Sequence, residues 1–399
     1  MMVSIAFFLL VVSLSGLLPL RYRQLRMWSA LYWPLSIAGQ LFVVPIIVVT
    51  MVIVLAWRNE IWVAGPAFAA LLISISSLFM QCNVRSLAAD MALQLGVVGP
   101  GARAFSLKDI WRWLLVLRCE RRGLKITRDV AYGELSAQRM DIYALAAHCE
   151  PKPILIHIHG GAWVTGKKGQ MGRPLVHDMA QRGWLVCDIE YRLGPEHRYP
   201  AMIVDVLLAI HWIKTNAGQY GGRGDFVVLT GGSAGGHLTA LAGLMSAAQR
   251  REYVDGDTSV QAIAPFYGRY DFLDRFDIIK DPKIVEFTEN KVMPGTVAQV
   301  GEALWRQASP IDHVGPHMPS CLMVHGSSDC LIDYKEAEAF VSAQAALATN
   351  DFEFLLVPGA QHAFDLGHCP QSDAVNHLVE AYFEKCYRDH CESVGESYL

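Results

Sequence analysis

Thr230-Gly231-Gly232-Ser233-Ala234-Gly235-Gly236 follows a short apolar run, Phe226–Leu229, and opens a helix-like stretch, His237–Ala248. This is G-x-S-x-G between a strand and a helix. In that context a sharp turn forces strained backbone angles on the serine and exposes its hydroxyl past the strand end. Gly231 and Gly235 leave room for strand and helix to approach. The amide of Ala234 points into the same space from a helix N-terminus. Ser233 is thus a candidate nucleophile and Ala234 a candidate oxyanion donor. The competing reading is a plain glycine-rich turn.

Outward from this turn, the chain from Lys125 onward alternates short apolar runs with longer helix-like stretches. The predicted strands are Ile126–Val130, Met140–Tyr143, Ile154–Ile158, Leu185–Ile189, Phe226–Leu229, Ala262–Phe266, Cys321–Val324 and Phe352–Val357. The stretches Met202–Ala217, His237–Ala248 and Tyr334–Ala348 predict helices between them. Near-continuous apolar strands alternating with helices predict an α/β fold, a mostly parallel sheet covered on both faces. In such sheets the chemistry sits past the carboxyl ends of the strands. The connection 268–314 is longer than one helix requires and predicts a cap. Its Phe272, Phe276, Phe287 and Trp305 would line an acyl pocket or form the cap's own core.

Other strand ends carry complementary groups. His159-Gly160-Gly161-Ala162-Trp163 follows Ile154–Ile158. Acyl transfer builds negative charge on a carbonyl oxygen, and aimed backbone N–H groups stabilise it by roughly 3 kcal/mol per donor. Two successive glycines let the backbone approach, so Gly160 and Gly161 are the predicted donors beside Ala234. Trp163 reads equally as a pocket wall or a core aromatic, and His159 reads as fixing the loop by hydrogen bonding. A hydroxyl nucleophile needs a base, and the base an orienting carboxylate, in the chain order Ser, Asp or Glu, His. His325-Gly326-Ser327-Ser328-Asp329 and Pro358-Gly359-Ala360-Gln361-His362-Ala363-Phe364 supply Asp329 and His362 just past two strand ends. Asp333 and His368 are rivals lying further from those ends. Lys167 and Lys168 read as a solvated pair or an attraction for an anionic head group.

The set HGGAW at 159–163, YRLGPEH at 191–197, GGSAGGH at 231–237, HGSSD at 325–329 and PGAQHAF at 358–364 resembles the α/β-hydrolase esterases and lipases. The nearest branch is the hormone-sensitive-lipase-like carboxylesterases, especially their bacterial membrane-anchored members. The resemblance covers roughly 125–390. It implies Ser233, Asp329 and His362 as the triad, Gly160, Gly161 and Ala234 as oxyanion donors, and no metal or organic cofactor. Two positions depart from the family: its third oxyanion-loop glycine is Ala162, and the Asp that commonly precedes the nucleophile is Gly232. The first departure argues against bulky tertiary-alcohol esters. The YRLGPEH segment reads as a brace for the loops.

The 399 residues are 52% hydrophobic and 18% charged, with a mean hydropathy of +0.26. This excludes a disordered or charge-tail protein. The net charge of -4 leaves no nucleic-acid footprint, and no zinc-ligand spacing occurs. Nine cysteines in no paired spacing read as free thiols. The apolar excess concentrates in residues 1–80, where Arg21, Arg23, Arg26, Arg58 and Glu60 are the only charges. A spanning helix needs about 20 apolar residues. Three are predicted within an N-terminal transmembrane region, 1–84: near 3–20, 38–57 and 61–80. The first is a retained helix or a signal cleaved near Ser13–Gly16, and the lack of a basic n-region favours the helix. If the second and third segments form a hairpin, clustered Arg21, Arg23 and Arg26, and further cations from Arg85 onward, place the large domain on the cytoplasmic side by the positive-inside rule, whereas a cleaved signal would put it outside. Residues 85–124 read as an amphipathic linker, whose Ala104–Arg122 would lie on the membrane or pack as a helix on the catalytic domain, 125–399.

The expectation is a multi-pass membrane-anchored esterase or lipase acting on small-molecule or lipid esters. An amidase, peptidase or acyltransferase on the same triad is the alternative within enzymes. A non-catalytic membrane scaffold is the alternative of another class. The sequence leaves the oligomeric state open.

Overall fold

The computed structural model describes residues 2–17, 29–57, 59–97, 106–146, 151–279, 281–316, 318–345 and 352–395. Arg21, Arg23, Arg26 and Arg58 lie outside them. The chain packs as two compact units. The first comprises residues 1–118, 326–334 and 356–381, and the second 119–325, 335–355 and 382–399.

In the first unit, α1 (Met2–Leu17), α2 (Ser29–Leu41), α3 (Val43–Ala56) and α4 (Ile61–Gln94) are apolar helices. The expected single span 38–57 is two helices, bent by 82° at Phe42. Pro45 explains the break. It has no N–H to give, and its ring crowds the carbonyl four residues back, on Leu41, where α2 ends. The third expected span is longer than 61–80, because nothing between Val84 and Gln94 breaks a helix. It stops where Gly96 turns left-handed, at φ 63, and Val97 N–H returns to Ala92 O. Among the described residues α4 alone is long and apolar enough to cross a membrane, or the bent pair α2–α3 also if counted as one span.

α4 buries a stripe of mostly small residues: Ala67, Ala70, Ser74, Ser77, Gln81, Ala88 and Ala92. Its large residues face outward, with Ile61, Trp62, Phe68 and Phe79 more than half exposed. Small residues let backbones approach. At the α1–α2 crossing a Cβ on Gly16 would stand 2.8 Å from the carbonyl carbon of Gly39. A buried Ser13–Ser74 bond of 2.9 Å ties α1 to α4. Among its described residues the predicted amphipathic stretch is helical as α5 (Leu107–Leu114), started by a reciprocal Ser106–Asp109 capping box. Trp113 is buried there and donates to Asp373 Oδ2 at 3.0 Å, while Trp111 is exposed.

The second unit is built on a sheet ordered β1-β2-β4-β3-β5-β6-β7-β8. The strands are β1 (Leu124–Ala131), β2 (Arg139–Leu145), β3 (Lys152–Ile158), β4 (Leu185–Ile189), β5 (Gly222–Gly232), β6 (Ala262–Phe266), β7 (Ser320–Gly326) and β8 (Phe352–Val357). β4, β3, β5, β6 and β7 pair in parallel, and β1 and β2 add antiparallel. The apolar runs lie on these strands because both sheet faces are covered: all of β4 and β6 is buried. Helices α6 (Arg173–Gln181), α7 (Ala201–Asn216), α8 (Ala234–Leu244) and α9 (Ala247–Arg251) follow the central strands, and α13 (Lys335–Ala345) and α14 (Pro370–Ser393) come after β7 and β8. The connection before β7 carries the short helices α10 (Pro282–Phe287), α11 (Val297–Val300) and α12 (Glu302–Gln307). Eight cysteines among the described residues are free thiols.

Candidate active site

Ser233 joins β5 to α8 at φ 58, ψ -120, a region that side-chain-bearing residues rarely enter. The strain is held from both sides. Ser233 N–H donates to Phe266 O at 3.0 Å, and its carbonyl accepts His237 N–H at 2.9 Å. A Cβ at Gly231 or Gly235 would collide with the carbonyl oxygen of Ile158, the last residue of β3. α8 behind the turn is buried along its whole length, so the elbow has no slack. Ser233 itself is half-buried and reachable.

The glycine loop after β3 is packed just as closely. A Cβ on Gly160 would lie 2.7 Å from Gly232 O and 2.9 Å from Met171 Sδ. Gly161 sits at φ 124, and its carbonyl takes the N–H groups of Val164 and Thr165 at 3.1 and 3.0 Å. Ala162, the first of the two departures, holds a left-handed φ of 51 and is exposed. At Gly232 the second departure has a physical counterpart. A Cβ there would meet the hydroxyl of Tyr267 at 2.6 Å, so the tyrosine takes the room a side chain would need.

The bracing groups behave as core. His159 Nδ1–H donates to its neighbour's carbonyl, Gly160 O, at 2.7 Å, and its ring stacks on Tyr191 at 4.4 Å. Burial pushes it down to about 4, so it is neutral at pH 7. Tyr191 OH donates to His159 O at 2.9 Å, Arg192 forks onto buried Asp205, and Gly194 N–H donates to Trp163 O at 2.8 Å. These bonds give the YRLGPEH segment its bracing role. Trp163 is buried and donates to His237 Nδ1 at 3.0 Å, and His237 Nε2–H donates to Ala308 O at 2.8 Å. Phe272 stacks on His237 at 4.7 Å, with Trp305 edge-on to Phe272 at 6.5 Å. Trp163, Phe272 and Trp305 are therefore core, whereas Phe276 is exposed. His237, whose part the sequence did not reveal, is the hinge of this cluster. Burial pushes it down to about 3. Lys168 is engaged by Asp129, Asp141 and Glu190, while exposed Lys167 lines a polar cavity of about 270 Å³ with Arg121 and Arg173.

Asp329 and His362 belong to the first unit and are brought together there: Nδ1 of the buried imidazole lies 2.7 Å from Asp329 Oδ2. The other carboxylate oxygen, Oδ1, accepts Leu331 and Ile332 N–H at 2.8 and 2.9 Å. A carboxylate oxygen accepts, so His362 donates to it from Nδ1–H. The rival His368 is held in another pair. Its Nδ1 lies 2.8 Å from Asp373 Oδ1, the carboxylate that also takes Trp113. Ser233, Gly160, Gly161 and Ala234 lie in the second unit.

The BD-FAE family profile matches residues 140–343. Over 273 residues the chain is 36% identical to Esterase LipC of Mycobacterium tuberculosis, covering 67% of each chain. It is 34% identical to the Probable carboxylic ester hydrolase LipM of the same organism, over 65% of this chain and 61% of that one. The chain thus spans about two thirds or slightly less of the length of the curated relatives it matches. Among solved structures, Esterase B from Lactobacillus rhamnosis superposes with a TM-score of 0.62 at 20% identity, over 80% of this chain and 98% of that one, a likeness of fold.

Proposed function

The chain belongs to the BD-FAE family of carboxylic ester hydrolases, and from that premise we propose that it is a membrane-anchored serine esterase or lipase. Ser233 Oγ attacks the ester carbonyl. His362 Nε2 takes the hydroxyl proton and returns it to the departing alcohol. Asp329 holds the imidazole in the required tautomer and stabilises its charged form. The amides of Gly160, Gly161 and Ala234 stabilise the oxyanion, and water then deacylates the acyl-enzyme with His362 as base. The observation that carries this reading is the strained Ser233 elbow, φ 58 and ψ -120, locked between glycines that no other residue can replace. Support for the base comes from the 2.7 Å His362–Asp329 bond and the chain order Ser, Asp, His.

The anchor is supported by the outward apolar faces of α1, α3 and α4, where Phe8, Val52, Leu55 and Phe79 are all more than half exposed. Apolar surface of this kind is stabilised by lipid or another apolar partner. Multiple passes and a cytoplasmic catalytic domain complete the proposal, on the clustered arginines between the first two apolar runs. A lipid-partitioned ester would then be concentrated where the enzyme sits.

Purified full-length protein should hydrolyse p-nitrophenyl acyl esters, and Ser233→Ala should abolish this. Folded protein inert on a graded chain-length series would refute the reading. An aryl-amide panel run beside it separates esterase from amidase. Cysteine labelling from each face of intact membranes tests sidedness, and labelling of the large domain from outside would reverse it.

A further inference from the structure

The loop carrying His362 is tied to the N-terminal helices by side chains that the chemistry proposed above does not use. Gln40 on α2 is almost fully buried, at 3% exposure. Its carboxamide makes four bonds. Nε2 donates to Gly359 O at 2.7 Å and Gly16 O at 3.2 Å, and Oε1 accepts Gln361 N–H at 3.0 Å and Gln371 Nε2 at 3.1 Å. That exhausts its two donors and two acceptor sites. Gln81 of α4 donates to the backbone oxygen of Gln40 at 3.0 Å. Trp33, also on α2, donates its indole N–H to the carbonyl of His362 itself at 3.1 Å.

Three backbone groups within four residues of the loop, Gly359 O, Gln361 N–H and His362 O, thus find their partners on α2. The opposite side of the loop meets the segment carrying Asp329: Ser327 Oγ accepts Gly359 N–H at 2.9 Å, and Ser328 N–H donates to Ala360 O at 3.0 Å. The histidine loop is clamped between its orienting carboxylate's loop and a helix of the apolar N-terminal region. A glutamine buried in an apolar helix is costly unless every bond is made. With all four bonds of its carboxamide made, Gln40 is fixed in one geometry.

We propose that Gln40 and Trp33 are positioning residues for His362, so that the N-terminal helices are part of the catalytic apparatus and not only an anchor. The inference depends on the serine-esterase reading. The test uses full-length protein in detergent: Gln40→Leu, and Trp33→Phe, which keeps an aromatic side chain of smaller volume and removes the indole N–H. Active sites are titrated with a fluorophosphonate, and kcat is expressed per labelled Ser233. A displaced general base costs transition-state geometry, so kcat per labelled site should fall on the order of 10- to 100-fold, with KM within about twofold. Loss of folded protein alone lowers the number of labelled sites and leaves kcat per site unchanged, and that result overturns the proposal. If Gln40→Leu does not fold, Trp33→Phe decides by the same criterion. Wild-type protein that neither labels nor hydrolyses esters overturns the underlying reading with it, whereas labelled wild type with unimpaired variants overturns this inference alone.

Discussion

The Ser233 elbow and the His362 loop are both held rigidly, but by opposite means. At the elbow the restraint is steric and local. Backbone meets backbone so closely that a Cβ at Gly231, Gly235 or Gly160 has nowhere to go. At the histidine loop the restraint is polar and distant in sequence: Gln40 and Gln361 are 321 residues apart, and Trp33 and His362 are 329 apart. A steric lock tolerates no added atom. A polar clamp tolerates no lost bond.

The largest effect expected is chemical. Ser233→Ala or His362→Ala should each lower kcat on the order of 10⁶-fold, and Asp329→Ala about 10⁴-fold. Steady-state hydrolysis against an enzyme-free blank checks this, and an Asp333→Ala variant that matches Asp329→Ala would move the carboxylate role to the rival. The steric lock breaks next: Gly160→Ala forces the loop away from Gly232 O and should lower kcat by about 10²- to 10³-fold, the cost of a lost oxyanion donor. The same substitution should leave kcat intact if Gly160 only shapes a turn. Breaking the polar clamp at Gln40 should cost less, since it displaces a base without removing it.

The smallest effect concerns stability. Burial holds His237 at about 3 and His159 at about 4, below the ordinary 6.5. The unfolded chain therefore takes up protons that the folded one refuses, and stability should fall as pH drops from about 6.5 towards 4. Urea midpoints at pH 7 and pH 5 measure the slope. His237→Gln, which cannot titrate but still donates and accepts, should flatten it, and an unchanged slope would remove His237 from the account.

The two means of restraint also differ in how legible they were. Short-range signals announced the elbow, since G-x-S-x-G after an apolar strand constrains its own backbone. Most strands match their apolar runs closely, because runs such as Leu185–Ile189 have no exposed face to dilute them, but β5 extends from Gly222 to Gly232, well beyond the apolar run Phe226–Leu229. The break at Phe42 is not legible from Pro45 alone, because a proline inside a span is often absorbed by neighbouring helices. The role of Gln40 was not legible, for its partners lie at the other end of the chain. The available sign was chemical: a glutamine in an apolar helix, and another beside a candidate histidine. Likewise, nothing local indicated that Trp163 would close on His237 or that Tyr267 would occupy the space beside Gly232.

Peptide mapping of full-length protein treated with a fluorophosphonate most directly tests whether Ser233 is the nucleophile and His362 its base. One adduct per chain is expected, on Ser233, formed rapidly in the wild type and very slowly in His362→Ala. An adduct on another residue, no adduct on folded protein, or equal rates in His362→Ala and wild type would contradict that assignment.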